Sequence, residues 1–298
     1  MAGTKRIFFD TNIFNHIVER DDATELIERL RRVEADPEIE LVTGIHVIKE
    51  LSATPNPDKR QRLAECALVL GSGKIIKGWG QLAQEELLSC RQGQELPSAF
   101  YEEREQQSCC TVLKDIAAGR FSDQSARWQK EMGEERKRAR VAQMELWKKY
   151  QSFTGDFRSS YPTFEKFYEQ ACRPAASNQL RKLLRKDGVG ESELDEAVLR
   201  VMSKQDARVL PHLNAFLRAA QALTWIDRMG WQQGSRYCTK PKWGDRVDVG
   251  HLICAATSEA LVCDDEKART IFGCVYPGKM ALTLEEFVAM LGVQANAP

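Results

Sequence analysis

Along the first eighty positions, apolar residues follow two alternating periods. Ile7-Phe8-Phe9, Leu41-Val42 and Ile75-Ile76 are short compact apolar runs, while the segments between them carry apolar residues three and four positions apart. Short buried runs alternating with helical spacing belong to parallel α/β sheets, whose strands are covered on both faces by returning helices. The pattern predicts a strand at 6–9, a helix from 11 to about 34, a strand at 40–42 and a helix from 44 to 53. Pro55 and Pro57 end that helix, a third helix runs over 58–70, and a strand follows at 74–77. The same grammar resumes near the C-terminus with a helix over 245–259, a strand at 260–263, a helix over 266–271 and a short strand near Cys274-Val275.

The chain between these two parts reads differently. From about Trp79 to Trp243 it is rich in Glu, Gln, Lys and Arg, and its apolar residues keep helical spacing, as in Leu180, Leu183, Leu184 and in Leu213, Phe216, Leu217, Ala220. Removing this segment leaves roughly 130 residues, close to the commonest domain size. The expected architecture is therefore an α/β fold: a parallel sheet of about four or five strands flanked by helices, formed by residues 1–78 and 244–298, with a large all-α insertion or cap at 79–243.

Composition narrows the function classes. The 298 residues are 43% hydrophobic, enough for a substantial core, and no long uncharged apolar run marks a membrane span or a secretory leader. The cytoplasm is the expected compartment, and no membrane partner is expected. Nine cysteines with no Cys-x-x-Cys pair read as reduced thiols, several of them (Cys66, Cys254, Cys263) within apolar runs. The 43 basic and 43 acidic residues cancel, so attraction to phosphate must come from local patches.

Acids stand at the expected carboxyl ends of the strands, where open parallel sheets bind ligands. Asp10 directly follows Ile7-Phe8-Phe9, and Asp264-Asp265 follow Leu261-Val262-Cys263. Asp248 lies early in the following-half helix, with Asp245 one turn before it, and Glu50 lies on the second helix. Two like charges about 4 Å apart repel by about 4 kcal/mol at an effective dielectric near 20. A cation relieves such repulsion, and an oxygen-only donor set favours Mg²⁺ or Mn²⁺ over Zn²⁺. Each acid also suits a plain structural role. Asp10 and Asp265 have capping positions, Asp245 and Asp248 suit the first turn of a helix, and Glu50 needs no explanation on an exposed helix face.

Four blocks carry a resemblance. Phe8-Phe9-Asp10-Thr11-Asn12-Ile13 resembles the opening of PIN-domain nucleases, and His46-Val47-Ile48-Lys49-Glu50-Leu51 resembles the second motif of that family. The stretch from Asp245 to Ala256 resembles the third, with Asp248 and His251 in an Asp-x-x-His arrangement seen in some bacterial relatives. Leu261-Val262-Cys263-Asp264-Asp265 resembles the fourth, with Cys263 where Thr or Ser is usual. The resemblance covers about the first 80 and last 55 residues and leaves the helical segment undescribed.

The resemblance implies one or two Mg²⁺ or Mn²⁺ ions on Asp10, Glu50, Asp248 and Asp265, with Asp264 and Asp245 in reserve and Thr11, Asn12 and His251 in support. It implies phosphodiester hydrolysis, with RNA preferred as the substrate. A structure-specific or single-strand DNA nuclease, and a toxin-like module of little activity restrained by an antitoxin or other regulatory protein, are the alternatives. Arg246, Lys267 and Arg269 lie near the expected site, and Arg136, Lys137, Arg138 and Arg140 form a basic cluster in the helical segment. These residues suit phosphate, and they equally suit a solvated helix surface balanced by Glu131, Glu134 and Glu135. Tyr161, Phe164, Phe167 and Tyr168 suit base stacking or, by their spacing, a core stripe.

Overall fold

In a computed structural model, residues 4–71, 74–151, 156–186, 188–203, 210–233 and 244–294 are described. The chain is α/β. Five parallel strands, β1 (Lys5–Phe9), β2 (Ile39–Gly44), β3 (Ile75–Ile76), β4 (Ala260–Val262) and β5 (Met280–Leu282), lie in the order β3-β2-β1-β4-β5. The central strand β1 pairs Ile7 with Leu41 on one side and with Ala260 on the other, so the two ends of the sequence share one sheet. Ile7, Phe8 and Phe9 are buried, as a strand covered on both faces requires.

The flanking helices follow from local chemistry. Asp10 caps α1 (Thr11–Glu19), whose Ile13, Phe14, Ile17 and Val18 are buried. The single long helix expected over 11–34 is instead two. Arg20 takes an extended conformation (φ −78°, ψ 148°) and clamps Asp22, and α2 (Ala23–Glu34) begins beyond it. Helix α3 (Ile45–Ser52) follows β2 directly. Helix α4 (Pro57–Leu70) opens on a proline and is capped by Asn56, whose side chain accepts from the Lys59 amide at 3.0 Å.

Late in the chain, α13 (Gly244–Cys254) leads through a short 3₁₀ turn into β4. Cys274 and Val275, expected as a strand, instead end α14 (Glu266–Val275). The strand begins after Pro277 and Gly278, the latter at φ 94°, and α15 (Leu284–Gln294) follows it. A two-residue apolar pair fits either period, and the proline-glycine turn beyond it decides which element contains it.

The middle of the chain is helical: α5 (Trp79–Gln92), α6 (Glu103–Ala117), α7 (Asp123–Gln151), α8 (Phe157–Ser160), α9 (Phe164–Phe167), α10 (Arg173–Lys186), α11 (Glu191–Ser203) and α12 (Pro211–Gln233), with a π turn at Tyr168–Cys172 after α9. These helices share one continuous buried cluster with the sheet. Helix α12 packs on α5, α13 and α14, α6 lies against α4, and α7 crosses α3 and α13. Residues 99–101 bond along β3, with the Lys77 amide donating to Ala99 O and the Tyr101 amide to Ile75 O. An edge that would otherwise be open is thereby closed. Among the described residues no helix is long and apolar enough to cross a membrane.

One buried connection fastens the helical layer. Glu86 of α5 accepts hydrogen bonds from the backbone amides of His212 and Leu213 (3.2 and 2.8 Å) and lies 2.6 Å from His212 Nδ1, which caps the start of α12 from a neighbouring helix. Both side chains are buried. Each buried donor left without a partner costs about 1–3 kcal/mol. Glu86→Ala is therefore expected to lower the unfolding free energy by about 3 kcal/mol or more. A loss under about 1 kcal/mol in urea unfolding would show that α12 is secured elsewhere.

Candidate active site

The strand order reverses between β1 and β4: from β1 the chain proceeds to β2 and β3 on one side and to β4 and β5 on the other. A sheet with such a switch opens a crevice beyond the carboxyl ends of its two central strands. Asp10 follows β1 there, with its amide donating to Val262 O at 3.2 Å, and Asp265 stands just beyond β4.

Asp10 is only 4% exposed, and every one of its contacts is specific. Its Oδ1 accepts from the Thr11 amide at 2.7 Å and lies 2.5 Å from Nδ1 of His251, on α13. Its Oδ2 accepts from the Cys263 thiol at 3.1 Å. Burial works to raise the Asp10 carboxyl, but the His251 charge and the hydrogen bonds from His251, Cys263 and the Thr11 amide bring it below its ordinary value. His251 is itself 2% exposed. Burial works against its proton, yet the charges of Asp10, Glu50 and Asp248 and the bond to Asp10 push its pKa up from 6.5 to about 10. At neutral pH the imidazole is a cation locked between carboxylates.

Glu50 enters from α3. The Thr11 hydroxyl donates to Glu50 Oε2 at 2.6 Å, and His251 Nε2 stands 3.4 Å from the same oxygen without forming a hydrogen bond. Asp248 lies one turn before His251 on α13. Its carboxyl is raised well above 3.8 by burial first, then by the charges of Asp10, Glu50 and Asp265, against a lowering by His251. Asp248 thus feels the charges of the other three expected carboxylates. Asp265 caps α14, with Oδ1 accepting from the Ala268 amide at 2.9 Å.

Asp264 is turned elsewhere. Its Oδ1 accepts from the Leu284 amide at 2.9 Å at the start of α15, and its Oδ2 contacts His16 of α1. It fastens two helices to the β4 loop and does not join the cluster, because the backbone after β4 directs adjacent side chains to opposite sides. Asp245 and Arg246 lie on the first turn of α13, with side chains outside the described part of the structure. Asn12 braces the loop, donating to Cys263 Sγ at 3.4 Å and accepting from the Asp264 amide at 3.4 Å.

Two basic residues expected near phosphate are committed to protein partners. Arg269 donates to Cys263 O at 2.7 Å, and Lys267 pairs with Asp227 of α12 at 2.6 Å. On α7, Lys137, Arg138 and Arg140 are exposed and Arg136 is half-buried. Tyr161, Phe164, Phe167 and Tyr168 pack with Phe157 and Trp225, and the Arg218 guanidinium lies over Phe164 and Tyr168, so this aromatic stripe is core.

No family model, curated protein or solved structure matches the chain. Among the described residues, no three His, Cys, Asp or Glu side chains are gathered closely enough to hold a metal ion as they stand. Both Asp10 oxygens are engaged by protein donors. The donor set nonetheless suits a hard cation. Asp248 makes no hydrogen bond among the described residues, and Glu50 and Asp265 each bond through one oxygen only. One imidazolium faces Asp10, Glu50 and Asp248, and burial together with the neighbouring carboxylates gives Asp248 an elevated affinity for a proton.

Two participants were not legible as such in the sequence. Cys263 donates to Asp10 through its thiol. Burial and then the Asp10 charge push that thiol far up, so it stays protonated. His46 lies four residues before Glu50, hence on the same face of α3. Burial, then the charges of His251 and Lys49, push its pKa down to about 3, leaving it neutral. The four-residue spacing was its only signal.

The His251 shift has a sign. An unfolded imidazole loses its proton near 6.5 and the folded one only near 10, so the stabilisation is complete below pH 6.5 and is lost as the pH climbs to 10. The raised Asp248 works in the same direction, since deprotonation is harder in the folded state. Wild-type unfolding free energy is expected to fall between pH 7 and 10, and His251→Gln should flatten that slope. Equal slopes in chemical denaturation series would remove His251 from the centre of the cluster.

Proposed function

We propose that the chain is a PIN-type, divalent-metal-dependent nuclease acting on phosphodiester bonds, RNA in preference. The observation that carries this reading is the meeting of Asp10, Glu50, Asp248 and Asp265 beyond the switch point of a parallel sheet. Burial first, and then the charges of Asp10, Glu50 and Asp265, raise the Asp248 carboxyl there. Four carboxylates from four separate elements are too many for capping roles alone: only Asp10 and Asp265 cap helices.

In this reading Asp10, Glu50, Asp248 and Asp265 hold Mg²⁺ or Mn²⁺, which when bound lowers the pKa of water and neutralises charge on phosphoryl oxygens. The protein side of the chemistry is positional. Thr11 fixes Glu50 through its hydroxyl, the α14 amide fixes Asp265, and Cys263 with the Thr11 amide fixes Asp10. His251 holds a proton at Nδ1 against Asp10 and brings positive charge to a crevice that would otherwise repel a phosphate. The RNA preference rests on the family resemblance of the motifs.

A second reading draws on the same His251. An imidazolium already paired with Asp10 partly neutralises the cluster, which suits a PIN-like module of low activity restrained by a partner protein. Incubation with single- and double-stranded RNA and DNA in Mg²⁺ or Mn²⁺ separates the readings. The nuclease reading expects cleavage that EDTA abolishes and that Asp10→Asn lowers by at least about 100-fold. Equal cleavage by wild type and Asp10→Asn would dismiss this site, and no cleavage of any substrate would favour the restrained module.

A further inference from the structure

A cavity of about 630 Å³ opens beside the acidic crevice, between α3, the start of α5 and the middle of α7. Its lining includes His46, Trp79, Gln81, Glu135, Arg138 and Ala142. Its size falls within the range of small-molecule sites. Glu50 and His46 lie one turn apart on α3, and the His251 charge reaches His46, so the cavity adjoins the cluster. Lys49 of α3 bonds Glu131 of α7 at 2.7 Å and fixes the wall that α7 provides.

The wall is rigid where it is apolar. Trp79 stacks on Phe216 with ring centres 5.5 Å apart and on His46 at 6.5 Å. A Cβ on Gly250 would come within 2.9 Å of the Trp79 ring, so α13 closes tightly against it. At Gly80 nothing lies within 4 Å of the Cβ position, which leaves that side open. Of the polar lining, Gln81 donates to Glu85 at 2.8 Å, while three side chains are uncommitted. Glu135 and Arg138, three residues apart on one face of α7, make no hydrogen bond or ion pair among the described residues, and His46 makes no hydrogen bond there. His46 is a neutral imidazole, offering one donor and one acceptor.

Resting on the reading of the neighbouring cluster as a nuclease site, we infer that this cavity receives one unpaired guanine base of a single-stranded nucleic acid, read by Glu135 and Arg138. A phosphate would face the Glu135 carboxylate, which repels it, whereas a base meets both signs of partner. Guanine presents adjacent acceptors, O6 and N7, that suit a guanidinium. On its neighbouring edge it presents the N1 and N2 donors that suit a carboxylate. Adenine mixes a donor and an acceptor on each of these edges. Because Glu135 would take the pairing edge, the base must be unpaired, which selects single strands over duplex.

The test is fluorescence anisotropy on the full chain in EDTA, with labelled uridine pentanucleotides carrying one central guanine or adenine, and with guanosine monophosphate as competitor. Wild type is expected to bind the guanine strand about tenfold more tightly than the adenine strand, with Glu135→Gln and Arg138→Met each bringing the ratio close to one. Thermal melts of both variants verify folding. Equal binding of the two strands by wild type, or a preference that survives in both folded variants, overturns the inference. So does an absence of binding to either strand. Cleavage in Mn²⁺ with no guanine preference would leave the nuclease reading standing without this pocket. Guanine-selective binding without cleavage in any metal would keep the pocket and remove the nuclease reading.

Discussion

Asp10 and His251, 241 positions apart, meet at 2.5 Å in a place closed to solvent. A buried charge is costly unless paired, so this contact constrains everything around it: the end of β1, the pitch of α13 and the partners that each atom can find. The pair also sets the electrostatics of the crevice. Asp10 is kept ionised and His251 protonated, and the surplus negative charge falls on Asp248, whose carboxyl holds its proton far more tightly than an exposed one.

The topology places that contact. Because β1 is flanked by β2 and by β4, chain from both ends must pass the carboxyl edge of one strand, and loops that are remote in sequence become neighbours. The helical middle of the chain leaves the sheet at β3 and returns through α13, which carries Asp248 and His251. Its first helix and its longest one therefore reach the same edge: α5 through Trp79, wedged against Gly250 and Phe216, and α7 through its crossing of α3 and α13. The segment shares the core of the sheet, and its α5 and α7 line the cavity beside His46.

Much of the fold was legible because burial imposes a period. Strands covered on both faces read as compact apolar runs, and β1, β2, β3 and β4 all fall where such runs lie. The misread places are those where a local bond overrides the pattern. The Arg20 clamp on Asp22 splits one amphipathic stretch into two helices, and Pro277 with Gly278 moves the last strand beyond Cys274 and Val275. Roles inside the site were less legible. Asp264 and Asp265 are adjacent and identical, yet one ties α15 and α1 while the other faces the crevice, a division fixed by the backbone after β4.

The alternation of strands and helices, the helical character of the middle and the acids at strand ends follow from the sequence alone, since each is written in local periods and punctuation. Folding in three dimensions is what makes His251 a trapped cation and engages Lys267 with Asp227 and Arg269 with the Cys263 carbonyl. It also brings the Cys263 thiol to donate to Asp10. Those facts depend on distances and on exclusion of water between groups from separate elements, in the case of Asp10 with His251 and Cys263 more than 240 positions apart. No local pattern encodes how far a group is from solvent or which charge it meets there.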